Sequence, residues 1–184
     1  MDAVIIASGP SLTKDQVYYC KDKAFTAVIN NSYQIAPWAD LLYACDEEWW
    51  DYYRPDFKGL KYTINESAAA KYNLNLIKHD NKIRFSTDKD VIATNGNSGF
   101  QAINLIYHFG YRNIYLLGFD YKNTSQHWHG RHPGAMDKFP NMNIWVHKMI
   151  EAKPLMDAAG LKIINCSPDS AIQCFEKRSI FQCL

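Results

Sequence analysis

The stretch Gln126-His127-Trp128-His129-Gly130-Arg131-His132-Pro133 puts three of the chain's six histidines within six positions. An imidazole titrates near neutrality, so each can move a proton at a reacting centre or, when protonated, grip a phosphate. Alternate residues on extended backbone point the same way, so His127 and His129 would share a face, and His132 could complete a metal site. No carboxylate or cysteine lies inside the cluster, although Asp120 and Asp137 flank it. Catalysis or anion contact, a metal site, and solvated or capping imidazoles are the readings this pattern leaves open.

A second kind of chemistry is suggested where strand-like runs stop. Val4, Ile5 and Ile6 lead into Ser8-Gly9-Pro10-Ser11, and a helix-like pattern follows, with Ser11 or Thr13 able to cap it. Strand, small-residue turn and helix start together make the shape of a phosphate-binding corner. Asn95-Gly96-Asn97-Ser98-Gly99 opens another helix, and its free backbone N–H groups could hold an anion. In an open parallel sheet, ligands sit beyond the carboxyl ends of the strands. The other strand-like runs deliver Asn30-Asn31-Ser32, Asp46-Glu47-Glu48, Asp120-Tyr121 and Asn165-Cys166-Ser167 to that edge. Asp46 and Asp120 could hold the Mg²⁺ that accompanies a nucleotide. Glu47 and Glu48 read better as the acidic first turn of a helix, with Trp49 and Trp50 packing below. Tyr18-Tyr19 and Tyr52-Tyr53 read as half-buried aromatics. The patterns GxxxxGK[ST] and GxGxxG are both missing, which argues against a common nucleoside triphosphatase or dehydrogenase.

The elements that must position these residues alternate. Strands are expected over 4–7, 25–29, 41–45, 60–64, 114–117 and 161–166. A helix is expected over 98–109, capped by Ser98 and stopped by Gly110, and another over 142–159, where Pro154 suggests a kink or two pieces. This predicts an α/β fold: a single Rossmann-like three-layer domain over 1–184, its sheet mostly parallel and helices on both faces. Residues 65–97 show no clear pattern. The polar segment 121–141 is expected to be a binding loop or lid.

Hydrophobic residues make up 47% of the 184, charged residues 21%, and net charge is +1. That balance leaves no electrostatic footprint for duplex nucleic acid or an anionic membrane. No apolar run approaches a membrane span, and strand-like sequence starts where a signal peptide would lie. Five cysteines form no CxxC pair, which fits reduced thiols in the cytoplasm. Aromatic residues at 14% leave room for an interface between copies of the chain.

Several of these segments resemble known families. VIIASGPSL, NSGFQAINLIYHFGYRNIYLLGFDY and IINCSPDSAIQCF resemble the bacterial sialyltransferases that use CMP-activated sialic acid, with their GPSL opening, TSG turn, GYxxIYLxGxDF strand and late CPxS segment. They also resemble the superfamily of 6-hydroxymethylpterin diphosphokinases and flagellin glycosylation factors. The patterns APWADxLYACDxxWW and HWHGxHP look like small phage and prophage proteins. The sialyltransferase resemblance implies that Gly9, Pro10 and Ser11 lie against the nucleotide phosphate, with Ser8 beside them a further nucleotide-binding candidate, and that Asn30 contacts the donor. It implies that Asn97, Ser98 and Gly99 lie near phosphate and carboxylate, Asp120 and Tyr121 near cytidine and the reacting centre, and Ser167 over the nucleotide pocket. Their general base is a histidine before a late long helix, a role open here to His127, His129 or His132, of which His132 is nearest that helix. Two departures stand out: Asn95-Gly96-Asn97 replaces an arginine before the TSG turn, and the segment after Asp120 is short for an acceptor lid. The expected function is transfer of a sugar from a CMP- or other nucleotide-activated donor to a hydroxyl. The alternatives are pyrophosphoryl transfer from ATP with Mg²⁺, non-catalytic sequestration of a nucleotide, or metal-dependent hydrolysis on the histidine loop.

Overall fold

Ala3 and Ile5 pack into one hydrophobic cluster while Val4 and Ile6 pack into another, and all four are wholly buried. A strand that is apolar at every position must be covered on both faces, and the rest of the chain supplies that cover. The computed structural model describes residues 1–123, 127–130, 133–136 and 141–184. Ten strands are seen among them: β1 (Asp2–Ile6), β2 (Phe25–Ile29), β3 (Leu41–Tyr43), β4 (Leu60–Thr63), β5 (Asn75–Leu76), β6 (Lys78–Asp80), β7 (Val91–Ala93), β8 (Asn113–Leu117), β9 (Lys162–Asn165) and β10 (Glu176–Lys177). Five α-helices accompany them: α1 (Lys14–Cys20), α2 (Glu47–Tyr53), α3 (Glu66–Tyr72), α4 (Ser98–His108) and α5 (Met142–Ala158).

Eight strands form one sheet in the order β10-β9-β8-β1-β2-β3-β4-β5, every pairing parallel, and β6 and β7 make a separate parallel pair. Buried residues of α4 and α5 (Phe100, Ile103, Met149, Met156) cover the face that carries Ile5, Ile29 and Leu116. Val17 of α1, Trp49 and Trp50 of α2 and Ala68 of α3 cover the face that carries Val28, Leu42 and Leu117. The architecture is therefore the expected three-layer α/β arrangement. From β1 the chain steps outward through β2 to β5, then returns to the other side of β1 and steps outward again through β8 to β10. The order reverses between β1 and β8, the switch point beside which an open parallel sheet forms its ligand crevice.

Local physics explains where elements begin. Thr13 caps α1 in a capping box: its hydroxyl accepts from Gln16 N and the Gln16 amide oxygen accepts from Thr13 N. The α4 cap is Asn97, not Ser98 as expected, because the longer amide side chain reaches Phe100 N at 3.0 Å. Pro154 does not divide α5, which runs unbroken for 17 residues. The 65–97 stretch, patternless in sequence, holds α3 and three short strands. Tyr18 and Tyr52 are exposed rather than half-buried. All five cysteines are free, with Cys20 and Cys166 buried. Among the described residues no helix is long and apolar enough to cross a membrane.

Candidate functional site

The ends of β1 and β8 stay joined beyond the sheet, and two glycines permit it. Ala7 N donates to Leu117 O and Gly9 N to Gly118 O, each at 2.8 Å. Gly118 turns with φ +67°, and a Cβ there would lie 2.5 Å from Ala7 O. A Cβ on Gly9 would fall 1.8 Å from Asp120 Oδ2. No larger residue fits either position without displacing backbone or the Asp120 carboxylate.

Asp120 is held from three sides and is only 4% exposed. Its Oδ2 accepts from the Ser11 hydroxyl at 2.9 Å and from Ser11 N at 3.4 Å. Its carbonyl accepts from Ala171 N at 2.8 Å. The segment after β9 also grips the neighbouring residue: Phe119 N donates to Ser167 Oγ at 2.8 Å, and Ser170 Oγ donates to Phe119 O at 2.6 Å. Ser167 therefore sits behind the β8 end, 1% exposed.

The second bend is tied to the first through Tyr121, a non-glycine residue at φ +52°. Its hydroxyl donates to Asn97 Oδ1, the atom that also caps Phe100 N. Burial pushes the Tyr121 phenol well up from its ordinary value, so it acts as a neutral donor. The shared acceptor locks the start of α4 against the end of β8. Thr94 O takes Asn97 N, and Asn97 takes both Phe100 N and Gln101 N. Ser98 N and Gly99 N are then the first-turn amides of an 11-residue helix with no protein acceptor among the described residues. Beside them, Cys45 Sγ lies 3.1 Å from Ser98 Oγ and donates to Asp46 Oδ2 at 3.3 Å. Burial, with Asp46 next to it, pushes the Cys45 thiol up to about 12.

These parts surround a cleft of about 410 Å³ at the switch point between β1 and β8. Of the residues singled out in the sequence, Ser8, Gly9, Pro10, Asn30, Asp46, Asn97, Ser98, Gly99, Asp120, Tyr121 and His127 line it. Ser11 lies beneath, turned onto Asp120, and Ser167 lies behind, so neither borders the cleft. The two bends thus meet in space. Beyond Ser8, however, the amides of the first one are spent inside the protein: Gly9 N on Gly118 O, Ser11 N on Asp120, Leu12 N on Gly9 O and Thr13 N on Gln16. Pro10 has none to offer. The donor arrangement facing the cleft is therefore the α4 N-terminus, where aligned peptide dipoles favour a negative group.

The histidine loop closes one side. Trp128 N donates to Ser8 O at 3.1 Å, while Trp128 and Met136 pack against the apolar cluster that also holds Trp49. His127 and His129 stack with ring centroids 5.1 Å apart and planes 9° apart, brought together by a turn that Gly130 N closes onto His127 O rather than by the extended backbone expected. His127 borders the cleft. His132 and Asp137 lie outside the described residues, as do 124–126, 131 and 138–140 of the expected lid. Among the described residues no three His, Cys, Asp or Glu side chains gather as a metal site. Asp46 and Asp120 both line the cleft, with Cys45, Glu48 and His127, but these described side chains do not gather as a metal-holding group.

Sequence reasoning missed Lys122, Met136, Met142 and Trp145 as lining residues. Trp145 reaches the cleft from α5 and meets the Tyr121 ring edge-on at 6.2 Å. Nothing local in the sequence marks it, because its position depends on how α5 crosses the sheet.

No family model matches the chain, and no curated protein matches it in sequence. Solved structures do. The sialyltransferase CstII from Campylobacter jejuni, in complex with the substrate analogue CMP-3FNeuAc, superposes with a TM-score of 0.60 at 13% identity, over 96% of this chain and 85% of that one. The sialyltransferase CST-II in complex with a trisaccharide acceptor and CMP gives 0.58 at 12% identity, with the same coverage. The likeness is one of fold.

Proposed function

We propose that the chain binds a nucleotide-activated sugar, of CMP type or a close relative, and transfers the sugar to a hydroxyl acceptor. The observation that carries this reading is the pair of Ser98 and Gly99 amides at the head of α4. They open into a switch-point cleft within a fold shared with enzymes whose structures hold CMP and CMP-3FNeuAc. The donor phosphate would rest on those amides. The donor would lie along the lining that carries Asn30 and Asp120, its hydroxyl-rich parts being suited to a carboxylate and an amide.

In the transfer step the acceptor oxygen bonds to the anomeric carbon, and the bond from that carbon to the phosphate oxygen breaks. The leaving nucleotide keeps that electron pair, and the α4 N-terminus meets the growing charge with dipoles already in place. The acceptor proton passes to a loop histidine. His127 borders the cleft, His129 stacks on it, and His132 remains a candidate for the same role.

Calorimetry and thermal unfolding with CMP, CDP, ATP and CMP-sialic acid, with and without Mg²⁺, test the reading. A ligand at a hundred times its Kd stabilises the native state by about 2.7 kcal/mol, which raises Tm by roughly 5–10 °C in a chain of this size. His127→Ala should slow donor turnover by about 10²–10⁴-fold while leaving CMP affinity within a factor of about two. Turnover that survives replacement of His127, His129 and His132 together removes the base assignment. Binding without turnover makes the chain a nucleotide-sequestering protein, and preference for ATP with Mg²⁺ makes it a pyrophosphoryl transferase.

A further inference from the structure

The charges that line the cleft carry information about the transferred group, given the nucleotide-sugar reading above. Asp46 and Glu48 are exposed on the wall formed by the end of β3 and the start of α2, and Asp120 lies at the floor. Among the described residues Lys122 is the lysine that lines the cleft, an exposed side chain, and His127 adds a proton only when it is charged. Lys148, beside Gly96, donates to Asn95 O at 2.9 Å and keeps its charge next to the α4 end, where it favours the phosphate rather than the sugar.

Donors suited to an anion are equally limited. The first bend has little to give, because each amide from Gly9 to Thr13 is already bonded or absent, which leaves Ser8 N. Ser98 and Gly99 supply one compact seat, large enough for one phosphate. A second negative group on the same ligand would have to settle among Asp46, Glu48 and Asp120, where like charges repel it. Hydroxyls and amines would instead find acceptors there: Asp46 and Glu48 offer carboxylate oxygens, and Asn30 Oδ1 is buried with no hydrogen-bond partner among the described residues.

We propose that the cleft selects a donor whose transferred group carries no negative charge, a neutral or amino sugar attached through a single phosphate to the nucleoside. An acidic sugar is disfavoured by the carboxylates that would surround it.

The test compares two probes that differ by one charge: CMP-3FNeuAc and its carboxylate methyl ester, each titrated calorimetrically against the full chain, with CMP alone as reference. The ester should bind about three- to tenfold more tightly than the acid, the reach of one partly solvated charge. In Asp46→Asn/Glu48→Gln that preference should shrink to less than about twofold, because the acid tightens more than the ester, with CMP affinity measured as the reference for any change at the phosphate seat. Both substituted residues are exposed, so the variant should keep its fold. If CMP binds and the acid binds as well as or better than the ester, this inference fails while the nucleotide reading stands. If CMP itself does not bind, both fall.

Discussion

Replacing Gly9 with alanine should damage this protein far more than a single methyl group suggests. The added Cβ would lie 1.8 Å from Asp120 Oδ2, 2.4 Å from Gly118 O and 2.8 Å from Asp120 Cγ. Gly118 O cannot withdraw freely, since it accepts the Gly9 amide and joins β1 to β8. Asp120 cannot swing away without abandoning both bonds from Ser11. Overpacking of this kind costs about 1–3 kcal/mol, and two contacts below 2.5 Å place Gly9→Ala at the upper end. Reduced freedom of the unfolded chain returns about 0.4–1 kcal/mol. The net loss should be about 2 kcal/mol, a fall in Tm of roughly 4–8 °C. Thermal and urea unfolding measure it, and nucleotide titration should show CMP affinity falling in parallel. A double-mutant cycle with Asp120→Ala isolates the cause: removing the acid vacates the 1.8 Å contact, so the two costs should fall short of their sum by about 1 kcal/mol. A Gly9→Ala protein melting within about 1 °C of wild type, or a cycle that adds without coupling, would refute the close-approach argument.

Three other perturbations bear on the same framework. Gly99→Ala drives a Cβ to 2.5 Å from the Tyr121 hydroxyl, so it should destabilise by about 1–2 kcal/mol, and Tyr121→Phe should recover part of that in urea unfolding. Burial lowers the His108 pKa from its ordinary 6.5, with Arg112 pressing the same way and Ser86 O, Asp88 and Asp90 opposing. The folded state thus prefers neutral His108, and the stability this brings is whole above pH 6.5 and lost as pH falls below it toward the lowered value. Urea midpoints between pH 7.5 and 5 should drop, and drop less in His108→Gln. Burial also pushes Cys20 and Cys45 up to about 12 from 9, which cuts their thiolate fractions at pH 8 by about a thousandfold. Disulfide-exchange reagents should titrate these thiols quickly in urea and very slowly in the native protein.

The elements that could be read from sequence were those whose signal is local. An unbroken apolar run such as Phe25–Ile29 needs cover on both faces whatever lies around it, and β2 occupies the whole of that run. The α4 pattern is similarly self-contained, with nine of its eleven residues buried. The stretch 65–97 was illegible because its strands are two or three residues long and β5 is exposed, too short for alternation to register. Asn104 explains how such weak segments hold: its side chain accepts from Ser86 N and Ala93 N and donates to Ser86 O, pinning them to α4. Those partners lie more than ten residues away in sequence, where no propensity can point to them.

The candidate site divides along the same line. Small polar residues at strand ends marked the bends, and Gly9 and Gly99 stand where side chains would collide. Which bend can offer donors is a different question, because a backbone amide is available only if nothing else in the fold claims it. Gly9 N is claimed by Gly118 O, a pairing that exists because β8 returns to lie beside β1. That return reverses the strand order and opens the cleft, and it also takes the Gly9 amide out of the first bend. One topological event thus makes the pocket and leaves the α4 N-terminus as the helix end that faces it. The spacing of residues along the chain cannot reveal this, since both consequences depend on which strand comes back to meet β1.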